Sequence, residues 1–467
     1  MRVLAIVLGL VIVGKWAFIF ATESGGDGIV VPPVNPVPAP PERPERPVPE
    51  PGDLTATWYL QAHDLRPELK HVEFEIHYDG LIDSSTVIDA GDVWGVVTKR
   101  WEGGDSVLHG ISSATGEELW KLPLDGAYCA AQLQGGNLVC AEVLEREKEL
   151  GTRWRLMQIN PATGDVLAES VIDAWLATMS VHHDVVIIVE ARQPAPHAVV
   201  RGFDASLSEV WSHDLSKHEA HERMFSENRS ILRDEEIPEG PAFMNPRMRM
   251  VGDGTSAIWM FGSTAFVDAR TGTLRAMLPC SRPVDDDERI WCNHGDGAKA
   301  YDYAFKPLYS TEKDIGLAFP ARDPKYGDVL TPVFLRDDGK AMRVDRATGR
   351  TLGTLVDTAT GDAFGMAISP NAYYAGGHLI VSDSEQAFLI NPSDQTVVAE
   401  LSTSSRSGDV FLDDGMLILD DYRLQFVDPK TGRVTEGGRN IYGFSIDRAG
   451  DEFFSYGLDE LALLELG

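Results

Sequence analysis

The chain has 467 residues, of which 43% are hydrophobic and 24% are charged. This composition is too apolar for an intrinsically disordered chain and predicts a large globular body. The formal net charge is −31, from 41 lysines and arginines against 72 aspartates and glutamates. Because a surface of that sign repels phosphate backbones and anionic lipid headgroups, the charge argues against nucleic-acid binding.

The first segment, residues 1–22, has the order of charged and apolar residues that export signals have. Arg2 precedes an apolar run, and after Lys15 residues 16–21 extend that run to a length that could span a bilayer. The segment predicts an N-terminal hydrophobic helix, either an uncleaved membrane anchor or a removed signal peptide. The predicted location is the cell membrane, with a single N-terminal span and an extracytoplasmic body, or the exterior if the segment is cleaved.

Residues 23–53 form the second segment, which is dominated by proline. Residues 31–51 alone hold ten of the chain's 27 prolines. Such a sequence cannot form a helix or a sheet ladder and extends as polyproline II, at about 3.1 Å per residue. We predict an extended linker; a ligand for an SH3-like or WW-like domain is the alternative.

Four cysteines follow in the body of the chain, Cys129, Cys140, Cys280 and Cys292. An even count in an exported chain predicts disulfides, and four cysteines allow three connectivities. We pair neighbours, because each pair lies on two adjacent predicted strands. Neither pair has the spacing of a zinc knuckle.

One pattern recurs from residue 80 to the end: two apolar strands, an Asp/Asn-x-x-Thr-Gly turn and a short outer strand. Five turns keep the Thr-Gly, at residues 112–116, 160–164, 268–272, 345–349 and 428–432, and two are degenerate, at 204–208 and 391–395. An Asp or Asn side chain accepts backbone hydrogen bonds in such a turn, and glycine supplies the positive φ of the reversal. The residues predicted to shape the turns are Asp204, Asp268, Asp345, Asp428, Gly116, Gly164, Gly272, Gly349 and Gly432.

The repeat resembles the pyrroloquinoline-quinone-like β-propeller repeat, and its best match is Ile111-Ser-Ser-Ala-Thr-Gly-Glu-Glu-Leu-Trp120. That family includes the outer-membrane assembly propellers and the quinoprotein alcohol dehydrogenases. The resemblance implies an all-β fold over residues 54–467, a β-propeller of four-stranded antiparallel blades. Trp120 and Trp211 match the family's docking tryptophan, which the other copies lack.

Seven turns and a C-terminal unit predict eight blades, with seven as the alternative. The stretch Cys280–Ser310 is read either as a ninth, degenerate unit or as an insertion. The last unit lacks an outer strand, which Thr55–Gln61 or His71–His77 could supply. Such a closure would lock the ring.

Motifs of enzymes are sparse in this sequence. The vicinal cysteine pair of quinoprotein dehydrogenases is missing, so we expect no cofactor and no catalytic residues. A His-x-x-His pair, His218 and His221 next to His213, is the first candidate for a metal site, and the acidic run Asp285, Asp286 and Asp287 is a candidate for calcium. Solvated polar loops are the preferred explanation of both candidates, and no metal is expected.

The expected function is that of a monomeric, membrane-tethered scaffold that binds an envelope or extracellular protein, close to the non-enzymatic assembly propellers. Two long segments, residues 216–245 and 281–327, are expected to make the contacts, because propeller loops carry recognition. The alternative is a quinone- or metal-dependent enzyme that uses the central channel.

Overall fold

The computed structural model describes residues 53–218 and 246–465, except for 76, 79–83, 101–104, 148–149, 193–196, 253, 261–262, 286–287, 295–296, 319, 322–332, 337–339, 357–370, 376–377, 383–385, 392–393, 395, 403–409, 414–415, 421–422, 429, 444 and 450–451. The expected anchor, residues 1–22, and residues 23–52 of the expected linker lie outside these ranges. Within them, no helix is both long enough and apolar enough to cross a membrane.

The described chain is built almost entirely of strands. It starts with β1 (Thr55–Gln61), the one-turn helix α1 (Ala62–Leu65), β2 (Val72–Phe74), β3 (His77–Tyr78) and β4 (Ser84–Ser85). Blade 1 follows with β5 (Ile88–Asp89), β6 (Val93–Arg100), β7 (Asp105–Ser112) and β8 (Glu118–Asp125); blade 2 has β9 (Tyr128–Cys129), β10 (Leu138–Glu147), β11 (Leu150–Ile159) and β12 (Val166–Asp173); and blade 3 has β13 (Leu176–His182), β14 (Val185–Arg192), β15 (His197–Phe203) and β16 (Glu209–Asp214).

The next three blades continue the same order. Blade 4 has β17 (Arg247–Val251), β18 (Thr255–Met260), β19 (Ser263–Asp268) and β20 (Leu274–Leu278), and blade 5 has β21 (Ser281–Asp285), β22 (Ile290–His294), β23 (Gly297–Tyr301) and β24 (Pro307–Ser310). Blade 6 has β25 (Ile315–Ala318), β27 (Val333–Arg336), β28 (Ala341–Val344) and β29 (Thr351–Val356). In chain order β26 (Pro320–Ala321) lies between β25 and β27, but it does not belong to their sheet.

The last three blades complete the chain. Blade 7 has β30 (Asn371–Ala375), β31 (His378–Ser382), β32 (Gln386–Asn391) and β33 (Thr396–Ser402), with β26 added in parallel to β30; blade 8 has β34 (Val410–Asp413), β35 (Met416–Asp420), β36 (Arg423–Val427) and β37 (Val434–Arg439); and blade 9 has β38 (Ser445–Ala449), β39 (Glu452–Tyr456), β40 (Glu460–Glu465) and β1. Antiparallel pairing of consecutive strands within each blade is the architecture of a β-propeller. The predicted fold class is confirmed.

Neighbouring blades from blade 8 through blades 9 and 1 to blade 6 bury apolar side chains against each other. Leu108 of blade 1 lies in one buried cluster with Leu138 and Met157 of blade 2. The first and last blades also meet, since the rings of Trp94 and Phe454 lie 5.4 Å apart. Inner strands buried on both faces need continuous apolar runs, which is why β6 and β14 are rich in valine and isoleucine.

The N-terminal strand closes the ring by completing blade 9. β1 pairs antiparallel with β40, from Thr55 opposite Glu465 to Gln61 opposite Glu460. The alternative closing segment belongs elsewhere, because Val72 pairs with Arg100 and so extends blade 1. Chain closure of this kind leaves no open sheet between the first and last blades.

The Asp/Asn-x-x-Thr-Gly turns join the third and fourth strands of their blades. In the fifth copy the Oδ1 of Asp345 accepts a hydrogen bond from the N–H of Ala347 at 2.9 Å, and its Oδ2 accepts one from the Oγ1 of Thr348 at 2.8 Å. Asp204, Asp268 and Asp428 also accept a bond from the N–H two residues later. The five glycines, Gly116, Gly164, Gly272, Gly349 and Gly432, have φ between 68° and 74°.

The two tryptophans predicted to dock lie in outer strands, and each contacts the turn of the following blade. The Nε1–H of Trp120 donates to the carbonyl of Pro161 at 2.7 Å, and that of Trp211 donates to Ala269 at 3.1 Å. Gly110 and Gly164 lie against the two faces of Trp120, where an added Cβ would come within 2.1 Å and 2.6 Å of the indole. Sequence reasoning missed a third such tryptophan, Trp58 of β1, which donates to Ser113 of blade 1 at 2.7 Å.

The described residues form nine blades, so the expectation of eight is wrong by one. The additional blade is β21–β24, within the stretch Cys280–Ser310 that was read either as a ninth unit or as an insertion. Its turn lacks Thr-Gly but keeps the aspartate, since the Oδ1 of Asp302 accepts from the N–H groups of Ala304 and Lys306 at 3.0 Å and 2.8 Å. Accordingly, residues 281–327 are not one inserted segment: they hold blade 5 and the first strand of blade 6.

Both predicted cysteine pairs are bonded. Cys129 and Cys140 face each other across β9 and β10 with their Cα atoms 4.0 Å apart, and Cys280 and Cys292 join the start of blade 5 to β22 with Cα atoms 5.4 Å apart. No cysteine of the chain is left as a thiol. The predicted disulfides are confirmed.

Candidate interaction site

The candidate metal ligands occupy separate elements in the part of the chain that is described. His213 lies in β16, and His218 ends the single 3-10 turn Leu215–Lys217. His221, Asp286 and Asp287 lie outside the described residues. Among the residues that are described, no group of three or more His, Cys, Asp or Glu side chains is placed to hold a metal ion.

Asp285, the described member of the acidic run, is a buried hydrogen-bond acceptor between two blades. Its side chain accepts from the backbone N–H of Gly252 in blade 4 and from the hydroxyl of Tyr303 in blade 5. Only 3% of the residue is exposed. These contacts join the turn between β17 and β18 to blade 5, and they give this carboxylate a structural role.

A polar cluster joins β13, the innermost strand of blade 3, to the connection between β9 and β10 in blade 2 and to β18 in blade 4. Alternate residues of β13, Thr178, Ser180 and His182, are polar and buried. The Nδ1 of His182 lies 2.6 Å from the Oγ of Ser256 in blade 4, and the hydroxyl of Ser180 donates to the Oε1 of Gln132 in blade 2 at 3.1 Å. The period-two run of polar residues in β13 is the sequence signal that could have predicted this cluster.

The cluster connects three blades through hydrogen bonds between side chains. Buried hydroxyl and imidazole groups are costly without partners, so mutual hydrogen bonding is what stabilises them here. His182, the last residue of β13, has Ser180 and Ser256 as neighbours. These hydrogen bonds tie blades 2, 3 and 4 together.

A second buried histidine, His109, lies in blade 1. Its Nε2 lies 2.8 Å from the Oγ1 of Thr98 on β6, and its Nδ1 lies 2.7 Å from the Oε1 of Glu118 on β8. Burial lowers the pKa of His109, and the hydrogen bond to Glu118 opposes that effect only in part. The neutral imidazole therefore joins three strands of the blade.

The closing strand carries another group of coupled polar side chains. The hydroxyl of Tyr59 donates to the Oε1 of Glu460 at 2.8 Å and accepts from the Nε2 of Gln61 at 3.0 Å. Burial raises the pKa of the Tyr59 phenol, and it also raises the pKa of the Glu460 carboxyl. The first effect keeps the tyrosine protonated as a donor to Glu460, and this hydrogen bond holds β1 against β40.

The connections between blades differ greatly in length. Residues 174–175 suffice between β12 and β13, whereas residues 215–246 separate β16 from β17 and residues 357–370 separate β29 from β30. In a four-stranded meander the links between blades lie on the same side of the ring as the links between second and third strands. We call this the loop side and define it by residues 215–246 and 357–370.

No protein-family model matches the chain, and no curated protein matches it in sequence. Solved structures with a similar fold include BamB from Moraxella catarrhalis, with 13% identity, a TM-score of 0.39, and coverage of 79% of this chain and 99% of that one. They also include the quinohemoprotein alcohol dehydrogenase from Comamonas testosteroni, with 10% identity, a TM-score of 0.43, and coverage of 88% and 76%.

A third structure of similar fold is Sqt1 from Saccharomyces cerevisiae, with 10% identity, a TM-score of 0.42, and coverage of 85% of this chain and 96% of that one. At these identities the likeness concerns the fold alone.

Proposed function

We propose that this chain is a membrane-tethered, extracytoplasmic protein-interaction scaffold of the cell envelope, a non-enzymatic propeller built from the pyrroloquinoline-quinone-like repeat. In this proposal residues 1–22 hold the chain at the membrane, and the proline-rich residues 31–51 space the ring away from it. The ring then offers its loop side to a partner protein.

The disulfides support the extracytoplasmic location. Both bonds, Cys129–Cys140 and Cys280–Cys292, lie inside buried clusters between blades. Structural disulfides form and persist in oxidising compartments, whereas the cytosol keeps thiols reduced.

Contacts at the point where the proline-rich segment meets the ring support the proposed attachment. The guanidinium of Arg439, at the end of blade 8, donates to both carboxylate oxygens of Asp53 at 3.1 Å, and only 8% of the Asp53 side chain is exposed. The N–H of Leu54 donates to the carbonyl of Arg439 at 3.0 Å. A bidentate pair beside a strand that closes the ring lets the tethered end be held without opening a blade.

The long connection of the loop side is the observation that carries the proposal. Residues 215–246 link two blades at a point where two residues suffice elsewhere in the ring. Their sequence mixes charges of both signs with large apolar residues such as Met224, Phe225 and Ile231. Long loops on a rigid frame are where propellers place recognition.

Cross-linking of the full-length chain in membranes of its own host tests the proposal. One variant replaces residues 219–245 with a Gly-Ser linker, and the matched control replaces residues 357–370, the other long connection of the loop side. We expect a stoichiometric cross-linked partner with the parent chain and the control, and its loss with the first variant. Undiminished cross-linking after replacement of residues 219–245 would contradict the proposal.

Fractionation tests the tether separately. The full-length chain is expected in the membrane fraction, and a chain that starts at residue 23 behind a cleavable signal is expected in the soluble extracytoplasmic fraction. Equal distribution of the two chains would show that residues 1–22 are not the attachment.

A further inference from the structure

The outer strand of blade 2, β12, has an exposed stripe in which carboxylates and apolar side chains alternate. Along one face it carries Glu169, Val171 and Asp173, and Leu167 lies at the β-bulge that precedes them. Leu167 is 53% exposed and Val171 is 49% exposed. The side chains of Glu169 and Asp173 are 61% and 88% exposed. β12 is the last strand of its sheet, and no described strand pairs with its outer edge.

The outer strand of blade 1, β8, is a natural comparison for this stripe. The two strands have equal length and the same order of exposed and buried residues. Where β12 has Glu169 and Val171, β8 has Lys121 and Pro123. Lysine and proline are the residues that protect sheet edges from pairing with other chains. The edge of β8 is thus protected at two positions where the edge of β12 is open.

The proline also shows which way the backbone points. Pro123 has no N–H, yet it lies in regular register opposite Val107. Its nitrogen therefore faces away from the neighbouring strand, and by the equivalent register the N–H of Val171 points to the open edge of β12. An extended segment laid along β12 would find this donor available.

We propose that the edge of β12 binds an extended segment of the partner protein by strand addition, and that this segment alternates apolar and basic side chains on one face. The inference deepens the proposed scaffold function and rests on it. Backbone pairing would provide affinity, and cross-strand pairs with Leu167, Glu169 and Val171 would provide specificity. The stripe's acids point to lysine or arginine in the partner.

Two exposed ion pairs compete with this binding only weakly. The Nε of Arg153 lies 3.4 Å from the Oδ1 of Asp173, and the Nη1 of Arg155 lies 3.8 Å from the Oε2 of Glu169. Both carboxylates are exposed to solvent. Exposed pairs of this kind contribute little to stability, so a basic strand can displace or share them.

A second copy of this chain is the less suitable occupant. Two β12 edges in antiparallel pairing would bring their acidic stripes together, and like charges opposite each other destabilise a strand pair. The net charge of −31 adds a long-range repulsion between copies. The geometry and the charge both favour a basic partner segment.

A capped synthetic peptide is the probe, with lysine and valine alternating on one face and threonine filling the other. Its binding to the purified full-length chain is measured by isothermal titration calorimetry. The variant E169K/V171P gives β12 the two residues of β8, and we expect its Kd for the peptide to rise at least about tenfold, or about 1.4 kcal/mol. The reverse variant, K121E/P123V, opens β8 and is expected to add a second site per chain.

Several results would overturn the inference. These are equal binding by the parent chain and E169K/V171P, equal binding of a peptide with glutamate in place of lysine, and a dimer in sedimentation that E169K/V171P abolishes. Because Pro123 is accommodated at the same register, thermal melting should show that both variants fold. If cross-linking at residues 219–245 persists while the peptide fails to bind, the strand-addition inference falls and the scaffold proposal stands.

Discussion

The five junctions between neighbouring blades from blade 1 to blade 6 come in two complementary forms. In the first form the outer strand supplies a large side chain and the next turn supplies glycine, as where Trp120 docks on Gly164 and where Trp211 docks on Gly272. The junction from blade 5 to blade 6 substitutes tyrosine: the hydroxyl of Tyr309 donates to the carbonyl of Arg346 in the turn of Gly349.

In the second form the large side chain comes from the turn and the small one from the outer strand. Ala168 of β12 has the register position of the tryptophan, and the turn of blade 3 offers Leu207, which is 1% exposed. Ala276 of β20 and Phe305 in the turn of blade 5 repeat this exchange, and the ring centroids of Phe305 and Phe266 lie 4.7 Å apart. Leu207 and Phe305 have positive φ, at 56° and 63°.

In each of these five junctions one side supplies a large residue and the other side a small one. A close-packed interior tolerates such exchanges only when both sides change together. From blade 1 to blade 6 the turn residue with positive φ is therefore glycine where a large aromatic residue must fit, and a large residue where the facing strand carries alanine. The strained backbone at Leu207 and Phe305 is offset by burial of their side chains.

Removal of a docking tryptophan is the largest expected perturbation. Trp120→Ala deletes the side chain that fills the space between Gly110 and Gly164 and leaves the carbonyl of Pro161 without its donor. We expect the free energy of unfolding to fall by about 3–5 kcal/mol in denaturant titration. Leu119→Ala, at the exposed neighbouring position, is the control and should change it by less than about 0.5 kcal/mol. Similar losses in the two variants would refute the docking role.

The two disulfides provide the next test, because one lies at each form of junction. Cys129–Cys140 belongs to the cluster that Trp120 packs against, and Cys280–Cys292 belongs to the cluster of Ala276. Their sequence separations are 11 and 12 residues. The chain-entropy model then predicts a similar loss of about 3 kcal/mol for C129A/C140A and C280A/C292A. A loss of stability in only one of the two variants would show that the two forms of junction depend differently on their disulfides.

The first form of junction was predictable from the sequence only where a tryptophan follows a recognisable turn. Trp120 and Trp211 stand beside recognisable turns, and the glycines with positive φ follow from Thr-Gly. Trp58 was missed as a docking residue because its partner, Ser113, is 55 residues away in the next blade, and a local pattern cannot show that contact. The ninth blade was left undecided for a related reason, since its turn keeps Asp302 but replaces glycine by Phe305.

The candidate site was less accessible to sequence reasoning than the fold. Alternation in β13 marks Thr178, Ser180 and His182 as one face of a strand, but their partners Gln132 and Ser256 belong to other blades. The exposed stripe of β12 depends on a comparison with β8, which requires the register of both strands. Long-range pairing is what the repeat pattern alone does not contain.

A change of side-chain volume on one side of a second-form junction is expected to lower the free energy of unfolding by a smaller amount. A matching change on the other side should restore it. Ala168→Trp overpacks the cluster that holds Leu207 and should cost about 1–3 kcal/mol. Leu207→Gly removes the side chain and the strained backbone, so A168W/L207G converts the junction to the first form. Thermal and denaturant unfolding should give a favourable coupling of at least about 1 kcal/mol in the double-mutant cycle. Additive losses would mean that the two residues do not share one space.

The smallest expected effect concerns His109, beside the turn that receives Trp58. Burial disfavours the charged imidazole, so the unfolded chain, with a histidine pKa of about 6.5, binds a proton more readily than the folded chain does. Stability contributed by neutral His109 is therefore present above that pH and is lost as the pH falls below it. Glu118 opposes this loss, whereas Arg66 and Lys121 add to it by repelling the charged ring.

Titration of the His109→Gln variant isolates this contribution. Glutamine keeps a polar group between Thr98 and Glu118 but cannot take up a proton in this range. We expect the free energy of unfolding of the parent chain to fall more steeply than that of the variant below about pH 6.5, with the slopes differing by up to about one bound proton. His63→Gln is the control: it replaces a part-buried histidine whose Nδ1 lies 3.1 Å from the carbonyl of Leu69. Parallel curves for the parent chain and the His109 variant would mean that Glu118 compensates the buried charge fully, so that the first-form junction at blade 1 is insensitive to pH.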